Sequence, residues 1–424
     1  MRYLFALRSR MTEVRQKTDF LRKEMEFSVN EVSSSEFPVI RRGVLKLRGQ
    51  SGQECQVETP GCFFHTHFGS IPHLTPDDLQ YVKDSLSCIP LNMTLSTASV
   101  FADALAGYEK SVGAFVGYPS SVVYMSLHDP LVPLKPAMNE KATIGIWNRT
   151  GKKKLTPEQF MDMQDKLKPD SVQIMCDMDT EMEGSSNQRL TKSYDSSLRW
   201  LDRCLELMKD RSSHYPVLAT VGGGSDPWRR KNFCLEAANR KVDGFVIDGF
   251  GSGWIAKWKE WEVTGSSLFG PHEALIRESI RSLPKDKPRF IHAPLSPTAV
   301  VQLVRMGVDV FDTSYPAALA DRGQALIRTG DFCFEVWTMS EKGYFDDLTS
   351  LSTRCGCYTC EKYTRAYIHH LIACEEINAG VLLMIHNLNE YLKFFRDIRK
   401  SMDEGKFHLW MPQAEAGRQQ ADRD

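Results

Sequence analysis

Short runs of apolar, β-forming residues recur from about residue 60 onward, and amphipathic stretches lie between them. Strands that are apolar on both faces are typical of sheets covered on both sides. We predict eight strands, at residues 62–66, 91–95, 143–147, 172–176, 216–220, 244–248, 289–293 and 308–312. Residues 113–116 are an alternative position for the second strand.

The stretches between these strands have helical periodicity. Helices are predicted at residues 157–168, 193–210, 231–240, 271–283 and 298–306. Strands that alternate with helices indicate βαβ units and a parallel sheet. Eight such units predict an α/β fold, a closed (β/α)₈ TIM-type barrel of the usual size of about 250 residues. An open, doubly wound sheet is the alternative.

Three thiols crowd into six residues near the C-terminus. Cys355, Cys357 and Cys360 have the spacing Cys-x-Cys-x-x-Cys, and His386 follows across a segment with helical spacing that we expect to end at Gly380. Cys₃His is a usual structural set for Zn²⁺, and four protein ligands leave no open position. We therefore predict one structural zinc ion per chain. Three reduced buried cysteines and an unrelated histidine are the alternative.

The chain of 424 residues is 42% hydrophobic and can hold one large domain with an appendage. We divide it into a basic N-terminal extension (1–30), the barrel (31–350), the zinc subdomain with the final barrel helix (351–404) and a tail (405–424). Because the formal net charge is −1, a nucleic-acid partner would have to be bound by a local basic patch. The candidates are Arg354, Lys362, Arg365, Lys393, Arg396, Arg399 and Lys400; an ordinary solvated helix face is the alternative.

The eleven cysteines are not preceded by a secretory signal, and the cluster has metal spacing, so we expect a reducing compartment. The first 24 residues are basic, but Glu13, Asp19 and Glu24 argue against a transit peptide. We expect a cytoplasmic protein, with peripheral association at the mitochondrial outer surface as an addition. No apolar run reaches the length of a membrane span.

Barrel enzymes carry catalytic groups at the C-terminal ends of their strands. Asp312 and Asp248 each close an apolar predicted strand, whereas strand alternation turns Asp309 to the other side. For each terminal acid, capping of the next helix is the alternative role. His65 and His67 flank the end of the first strand, but no third ligand is near them in sequence, so a metal site there is disfavoured.

Several motifs resemble the tRNA-guanine transglycosylase family, over roughly residues 60 to 400. The most specific block is Cys355-Gly-Cys-Tyr-Thr-Cys-Glu-Lys-Tyr-Thr-Arg-Ala-Tyr-Ile-His-His-Leu, followed by Met384-Ile-His386-Asn-Leu-Asn. Gly307-Val-Asp-Val-Phe-Asp312 resembles the strand that carries the family's nucleophile. Gly222-Gly-Gly and Gly244-Phe-Val-Ile-Asp-Gly-Phe-Gly-Ser-Gly253 resemble two substrate loops.

The resemblance implies a barrel with an embedded zinc subdomain. It also implies an activity, the exchange of guanine for a deazaguanine base at the tRNA wobble position. The eukaryotic enzymes insert queuine at position 34 of tRNAs for Asp, Asn, His and Tyr. An aspartate attacks the ribose C1′ while a second aspartate handles protons, much as in a retaining glycosidase.

This sequence departs from the family where the chemistry is done. An Asp-Ser-Gly-Gly-Phe-Gln type motif carries the family's base, whereas this chain reads Leu95-Ser-Thr-Ala-Ser-Val-Phe. Gly222 stands where the family has a base-reading glutamine, and Asp248 where it has a glycine. Cys176 or Asp177 could match the base-reading aspartate. Pro316-Ala317-Ala318 lacks the arginine expected after the nucleophile.

We therefore expect no catalytic residue in this chain, and Asp312 marks a vestigial nucleophile position. The leading hypothesis is a non-catalytic subunit that forms a heterodimer with a catalytic paralogue on tRNA, with self-association also considered. One alternative is an active transglycosylase that uses Asp312 as its nucleophile. Another is an unrelated barrel hydrolase with a zinc clamp.

Overall fold

The structure is a computed structural model that describes residues 24–32, 40–49, 52–82, 88–135, 139–178, 180, 184–211, 215–248 and 272–407. Most of the predicted N-terminal extension, residues 249–253 of the second substrate loop and the tail beyond residue 407 lie outside the described residues.

Fifteen strands are present in the described part of the chain. In chain order they are β1 (Glu24–Val32), β2 (Ile40–Arg48), β3 (Glu54–Thr59), β4 (Gly61–His65), β5 (Pro90–Thr94), β6 (Val122–Ser126), β7 (Ile144–Asn148), β8 (Gly151–Leu155), β9 (Ser171–Gln173), β10 (Val217–Val221), β11 (Gly244–Ile247), β12 (Arg289–Phe290), β13 (Val310–Asp312), β14 (Gln324–Gly330) and β15 (Cys333–Thr338).

Eleven α-helices accompany these strands, again counting only the described residues. They are α1 (Leu95–Ala98), α2 (Val112–Phe115), α3 (Pro157–Leu167), α4 (Asn187–Lys209), α5 (Pro227–Ala238), α6 (His272–Ser282), α7 (Pro297–Met306), α8 (Ser314–Ala320), α9 (Tyr358–Lys362), α10 (Arg365–Ala373) and α11 (Ile377–Asp403). No helix in the described ranges is long and apolar enough to cross a membrane.

The predicted closed barrel is confirmed. Strands β4, β5, β6, β9, β10, β11, β12 and β13 follow one another around the barrel, and β13 pairs with β4 to close it. Every neighbouring pair is parallel. The alternative of an open sheet is therefore wrong. The C-terminal ends of all eight strands meet at one rim, which includes Asp312.

The prediction for the third strand is wrong. Of the predicted residues 143–147, those from 144 onward lie in β7, which pairs with β8 in an antiparallel hairpin outside the barrel. The third barrel strand is β6, whose five residues are all buried. The alternation of Ile144 and Ile146 with Gly145 and Trp147 is typical of a hairpin with one exposed face, whereas a barrel strand is apolar on both faces. Residues 113–116, the alternative for the second strand, lie in or beside helix α2.

The segment from residue 361 to residue 380 also differs from its prediction, because two breaks divide it. Tyr363 is extended, and the Thr364 hydroxyl caps α10 by accepting from the backbone N–H of Tyr367. A second break follows α10, where Glu375 has a left-handed φ of 55°. Gly380 does not end a helix. It lies in the first turns of α11, and the His73 ring packs where a Cβ would be.

The sheet of β1, β2 and β3 covers the bottom of the barrel, which is the N-terminal end of its strands. Leu45 and Val57 from this sheet share an apolar cluster with Phe63 and Phe290 from inside the barrel. The predicted boundary between extension and barrel, at residue 30, falls within β1.

One buried ion pair fixes the sheet to the bottom. The Arg41 guanidinium donates to the Asp309 carboxylate at 3.0 Å, and both side chains are buried. Asp309 also accepts from the backbone N–H of Arg289 at 2.8 Å. Asp309 therefore supports the barrel and has no place at the rim.

Helix α11 runs the height of the barrel. Its 27 residues span about 40 Å. Near its start, Gly380 touches His73, which follows β4 on the rim side. At its end, Asp403 pairs with Arg42 of the bottom sheet at 3.1 Å. Residues late in α11 therefore lie far from the rim.

Candidate metal centre and barrel mouth

The four predicted metal ligands come together at one point. Cys355 precedes α9, Cys357 caps the N-terminus of α9, and Cys360 lies one turn into that helix. His386 reaches the same point from α11. One ligand atom from each residue lies within 4.8 Å of the others. Cys357, Cys360 and His386 are buried, and Cys355 is half-buried.

The spacing of these atoms fits a tetrahedral metal ion. The Nδ1 atom of His386 lies 3.3 Å from the Cys360 sulfur and 3.6 Å from the Cys357 sulfur. Ideal zinc bond lengths to sulfur and nitrogen give a sulfur–nitrogen edge of about 3.6 Å in a tetrahedron. Hydrogen bonds from the Cys355 and Cys360 thiols lower the pKa of Cys357 to about 4. The four residues could therefore hold a metal ion.

The histidine is oriented by the hairpin of β14 and β15. Its Nε2 atom donates to the Leu326 carbonyl at 2.9 Å, which leaves Nδ1 facing the sulfurs with its lone pair. The next residue, Asn387, accepts from the Leu326 N–H at 2.8 Å. The Thr359 hydroxyl donates to the Leu382 carbonyl at 2.7 Å and so fixes α9 on α11. Every element that carries a ligand is thus held in place by a hydrogen bond.

A buried ion-pair network lies behind the cysteines. Glu390 contacts Cys355. Burial is the largest cause that raises the pKa of Glu390, and the neighbouring Cys355 thiol raises it further. The Arg328 guanidinium lies 3.2 Å from Glu390 and 2.8 Å from Asp397, with its face over the Phe334 ring. Such outer contacts orient ligands and tune a metal site.

Asp312 lies at the rim, as predicted. It is 1% exposed, and one carboxylate oxygen accepts from the Ser314 N–H at 2.9 Å and from the Ser314 hydroxyl. The other oxygen lies 3.6 Å from His292 Nδ1 and has no hydrogen-bond partner within the described residues. His292 Nε2 lies 3.0 Å from the Tyr124 hydroxyl. Burial raises the pKa of Tyr124 well above its usual value.

The segment that follows β5 offers hydroxyl groups in place of an acid. Thr94 Oγ1 lies 2.8 Å from Thr97 Oγ1 and 3.2 Å from Ser96 Oγ. These hydroxyls satisfy one another, and none of them titrates near neutral pH. The acids of residues 90–110, Asp103 and Glu109, are both exposed, and Asp103 pairs with Lys166 at 2.6 Å.

The positions that would read a base are also altered. Both Asp177 oxygens are held by Arg189 at 2.6 and 2.8 Å, so this carboxylate is used inside the protein. The neighbouring Cys176 thiol is buried, which raises its pKa to about 12. A Cβ on Gly222 would lie 3.1 Å from the Phe233 ring, so Phe233 fills the space where a side chain from that position would begin.

A histidine–aspartate pair at the rim was missed by the sequence reasoning. Asp129 lies 2.8 Å from His67 Nδ1 and 3.6 Å from His65 Nε2. Burial raises the pKa of Asp129, but the His67 hydrogen bond and the His65 charge outweigh it, so this pKa is lowered. The same bond raises the pKa of His67, and burial lowers that of His65. Only the strand topology brings residues from β4 and from the segment after β6 together.

The predicted RNA-contacting residues do not share one surface. Arg354 and Lys362 are exposed beside the cysteines, and Lys393 is half-buried on α11. Arg365 pairs with Asp347 at 2.8 Å and lies over the Trp337 ring.

The three remaining candidates lie near the bottom of the barrel, late in α11. Arg396 and Lys400 are exposed there. Arg399 donates to the Pro60 carbonyl at 2.9 Å and lies 3.4 Å from Glu58, so its charge is used within the protein.

Comparison with known proteins identifies a matching family and several similar proteins. The family model of queuine tRNA-ribosyltransferase matches residues 38–420. The queuine tRNA-ribosyltransferase accessory subunit 2 of Xenopus tropicalis is 32% identical, covering 91% of this chain and 97% of its own length. The proteins of the same name from Ixodes scapularis and Homo sapiens are 34% and 31% identical, covering 84% and 86% of this chain and 92% and 94% of their own.

Proposed function

The chain belongs to the queuine tRNA-ribosyltransferase family, and from that premise we propose that it is the accessory, non-catalytic subunit of such an enzyme. The enzyme would exchange guanine for queuine at position 34 of tRNAs for Asp, Asn, His and Tyr. This chain would support the assembly and the binding of tRNA, and the catalytic subunit would perform the exchange.

The observation that carries this proposal is the replacement of the proton-handling acid by hydroxyls. Expulsion of a base needs a nucleophile on C1′ and a group that transfers protons near neutral pH. Asp312 stands at the nucleophile position, but Thr94, Ser96 and Thr97 bond to one another where the family carries an acid. Loss of a general acid–base typically costs roughly 10²–10⁴-fold in rate.

We propose zinc as the metal at Cys355, Cys357, Cys360 and His386. Three thiolates and an imidazole are soft and borderline donors that suit Zn²⁺, and four protein donors fill its tetrahedron. When bound, the ion would supply cross-linking of α9 to α11. It would take no part in base exchange, because its coordination is complete.

The zinc subdomain also offers a surface for the catalytic subunit. The three most exposed large apolar side chains in the described ranges are Phe345, Leu348 and Ile377, at 74%, 78% and 81%. Ile377 lies in this subdomain, and Phe345 and Leu348 lie in the segment just before it. The backbone N–H of Ala366 on α10 donates to the Asp347 carbonyl, which places that segment next to Tyr367, itself 43% exposed. Clustered exposed apolar residues mark protein–protein contacts. We propose that this surface, which we call the subdomain patch, meets the paralogue in a heterodimer.

For tRNA we propose contacts from Arg354, Lys362, Arg365, Lys393, Arg396, Arg399 and Lys400, with the exposed members making the phosphate contacts. Cys355, Cys357 and Cys360 gather with His386 in a cluster that suits a metal ion, and this use of cysteine supports a reducing compartment. We propose a cytoplasmic location, with peripheral association at the mitochondrial outer surface.

The active enzyme remains the second candidate, because one observation favours it. The unpartnered Asp312 oxygen faces His292, which itself lies beside Tyr124. A histidine at that position could transfer protons in place of the missing acid.

Assembly tests the proposal. The purified chain, mixed with the catalytic subunit, should elute as a 1:1 complex in size-exclusion chromatography with light scattering. The double variant Leu348→Lys, Ile377→Lys should weaken this complex strongly, since charge would be buried in an apolar contact. Trp228→Lys is the matched control, because Trp228 is 70% exposed on α5, outside the patch. Self-association of this chain without uptake of the catalytic subunit would contradict the heterodimer.

A further inference from the structure

The hairpin of β7 and β8 projects from the rim side of the barrel, between β6 and α3. Cross-strand partners in an antiparallel pair lie on the same face. Ile144, paired with Leu155, lies on the inner face and both are buried. Trp147 is paired with Lys152 on the opposite face, and Trp147 is 37% exposed. The hairpin is therefore anchored by Ile144 and Leu155 and presents Lys152 and Lys154 on the opposite face. Lys153, paired with Ile146, is exposed as well.

A groove of about 550 Å³ lies next to this hairpin, along the first turns of α4. Lys141, Lys192 and Arg199 line it, together with amide and hydroxyl side chains, and Asp195 is the one acid among its lining residues. Lys192 and Arg199 are two turns apart on α4, about 10 Å. The groove thus presents separated positive charges among hydrogen-bonding groups.

Asn139 holds the hairpin and the groove together. Its Oδ1 atom accepts from the Gly145 N–H at 2.8 Å, and its carbonyl accepts from Lys192 at 3.2 Å. Its Nδ2 donates to Asp177 at 2.9 Å, the same carboxylate that Arg189 clamps at the start of α4. Hairpin and groove therefore form one surface with a fixed arrangement.

The charge on this surface is strongly one-sided. Seven basic residues belong to the hairpin, the residues before it and the groove, against the two acids Glu140 and Asp195; the basic residues are Lys141, Arg149, Lys152, Lys153, Lys154, Lys192 and Arg199. Glu140 is already paired with Lys154. Within the described residues, the other six have no carboxylate oxygen at ion-pair distance. The whole chain carries −1, so these six form a local concentration of cations that have no ion-pair partner among the described residues.

We propose that this hairpin–groove surface binds the phosphate backbone of tRNA. The assignment rests on the proposed function, which supplies tRNA as the ligand, and it adds a further contact surface to the basic residues proposed above. Lysine is a flexible point charge, which suits phosphates of varying position better than a protein partner of fixed shape. The surface also lies on the rim side, where a nucleotide would approach Asp312.

Salt-dependent tRNA binding tests the assignment. The complex with the catalytic subunit is prepared with wild-type chain or with the triple variant Lys141→Gln, Lys152→Gln, Lys153→Gln, and affinity is measured by anisotropy from 50 to 200 mM KCl. We expect the variant complex to bind tRNA roughly tenfold more weakly at low salt. The slope of log affinity against log salt should become shallower by about 1 for each lysine that contacts a phosphate.

A matched control removes three exposed lysines elsewhere, as Lys46→Gln, Lys231→Gln, Lys241→Gln, and should leave affinity and slope unchanged. If the hairpin variant behaves like this control while the wild-type complex binds tRNA, the surface assignment is wrong and the proposed function stands. If the hairpin variant loses the catalytic subunit and keeps tRNA affinity, the surface binds protein and the assignment is wrong. A wild-type complex that fails to form, or binds no tRNA, refutes the proposed function itself.

Discussion

The metal centre and the barrel mouth show opposite patterns. At the metal centre all four donors converge within 4.8 Å, and hydrogen bonds to Leu326 and Leu382 hold the elements that carry them. At the mouth Asp312 keeps its position, but Asp177 is held by Arg189, and Phe233 fills the space beside Gly222. One site is complete, and the other retains one part of its chemistry.

The difference supports the proposed accessory role. A structural metal stabilises a surface that partners can bind, and it needs nothing from the barrel mouth. Base exchange needs several groups at once, and loss of a general acid–base alone typically costs roughly 10²–10⁴-fold in rate. This contrast is the basis of the proposed accessory role, because assembly requires the first site and does not require a complete barrel mouth.

The largest effect is expected at the metal centre. Cys357→Ala should abolish stoichiometric zinc and unfold the subdomain, because thiolate zinc sites contribute roughly 10–16 kcal/mol in zinc-finger peptides. Metal analysis with thermal melting measures both. Cys374→Ser is the control, since Cys374 is exposed and lies outside the cluster. Well-folded wild-type protein without zinc would contradict the site.

A smaller effect on zinc binding is expected from the ion pair between Arg328 and Glu390 behind the cysteines. Arg328→Ala leaves the buried Glu390 carboxylate beside Cys355 without its partner. Zinc affinity should fall roughly 10- to 100-fold, as for other outer-shell changes. Competition with a chelator measures this affinity, and the exposed Arg322→Ala is the control. Unchanged zinc affinity would show that the ion pair between Arg328 and Glu390 does not influence the metal site.

At the mouth, the His67–Asp129 pair should give a modest pH dependence. The pKa of His67 is raised in the folded protein, so its stabilisation is fully present below the ordinary histidine pKa and is lost as pH rises through the raised value. His67→Gln should therefore lower the melting temperature more at pH 5.5 than at pH 8.5. Because His67 is exposed, the contribution is no more than about 1 kcal/mol.

The pH comparison has its own control in His370→Gln, which changes an exposed histidine on α10. Asp129, whose pKa is lowered, loses its contribution only as pH falls well below this range. A loss of stability that is equal at both pH values would show that the hydrogen bond does not depend on the charge of His67.

The smallest effect is expected for Asp312→Ala in the mixed complex. Turnover should change less than about twofold, because hydroxyls stand in this mouth at the position where the family carries its proton-handling acid. The matching change in the catalytic subunit should abolish turnover. Rates of guanine exchange in the two reconstituted complexes decide between these outcomes, and a tenfold loss from Asp312→Ala here would assign the chemistry to this chain.

The sequence predicted what local patterns encode. The Cys-x-Cys-x-x-Cys spacing indicated the metal ligands because three of them lie in six residues. Strand and helix alternation predicted the closed barrel and the place of Asp312. The residues of β6 form a short run that is buried on both faces, whereas the alternating run of β7 has the pattern of a strand with one exposed face.

Contacts between distant segments could not be predicted in this way. His292 meets Asp312, and His65 meets Asp129, only because the barrel brings different strand ends to one rim. The break before α10 depends on a single Thr364 cap that competes with an otherwise continuous helical pattern. The bottom sheet of β1, β2 and β3 was not predicted, because its pairing depends on covering the barrel interior.

Base exchange by the isolated chain tests the central claim most directly. Purified chain is incubated with tRNA and labelled guanine or queuine, alone and with the catalytic subunit, and incorporated label is counted. We predict no incorporation by the chain alone and full incorporation by the mixture. Incorporation by the chain alone that disappears in Asp312→Ala would contradict the account and establish this chain as an active transglycosylase.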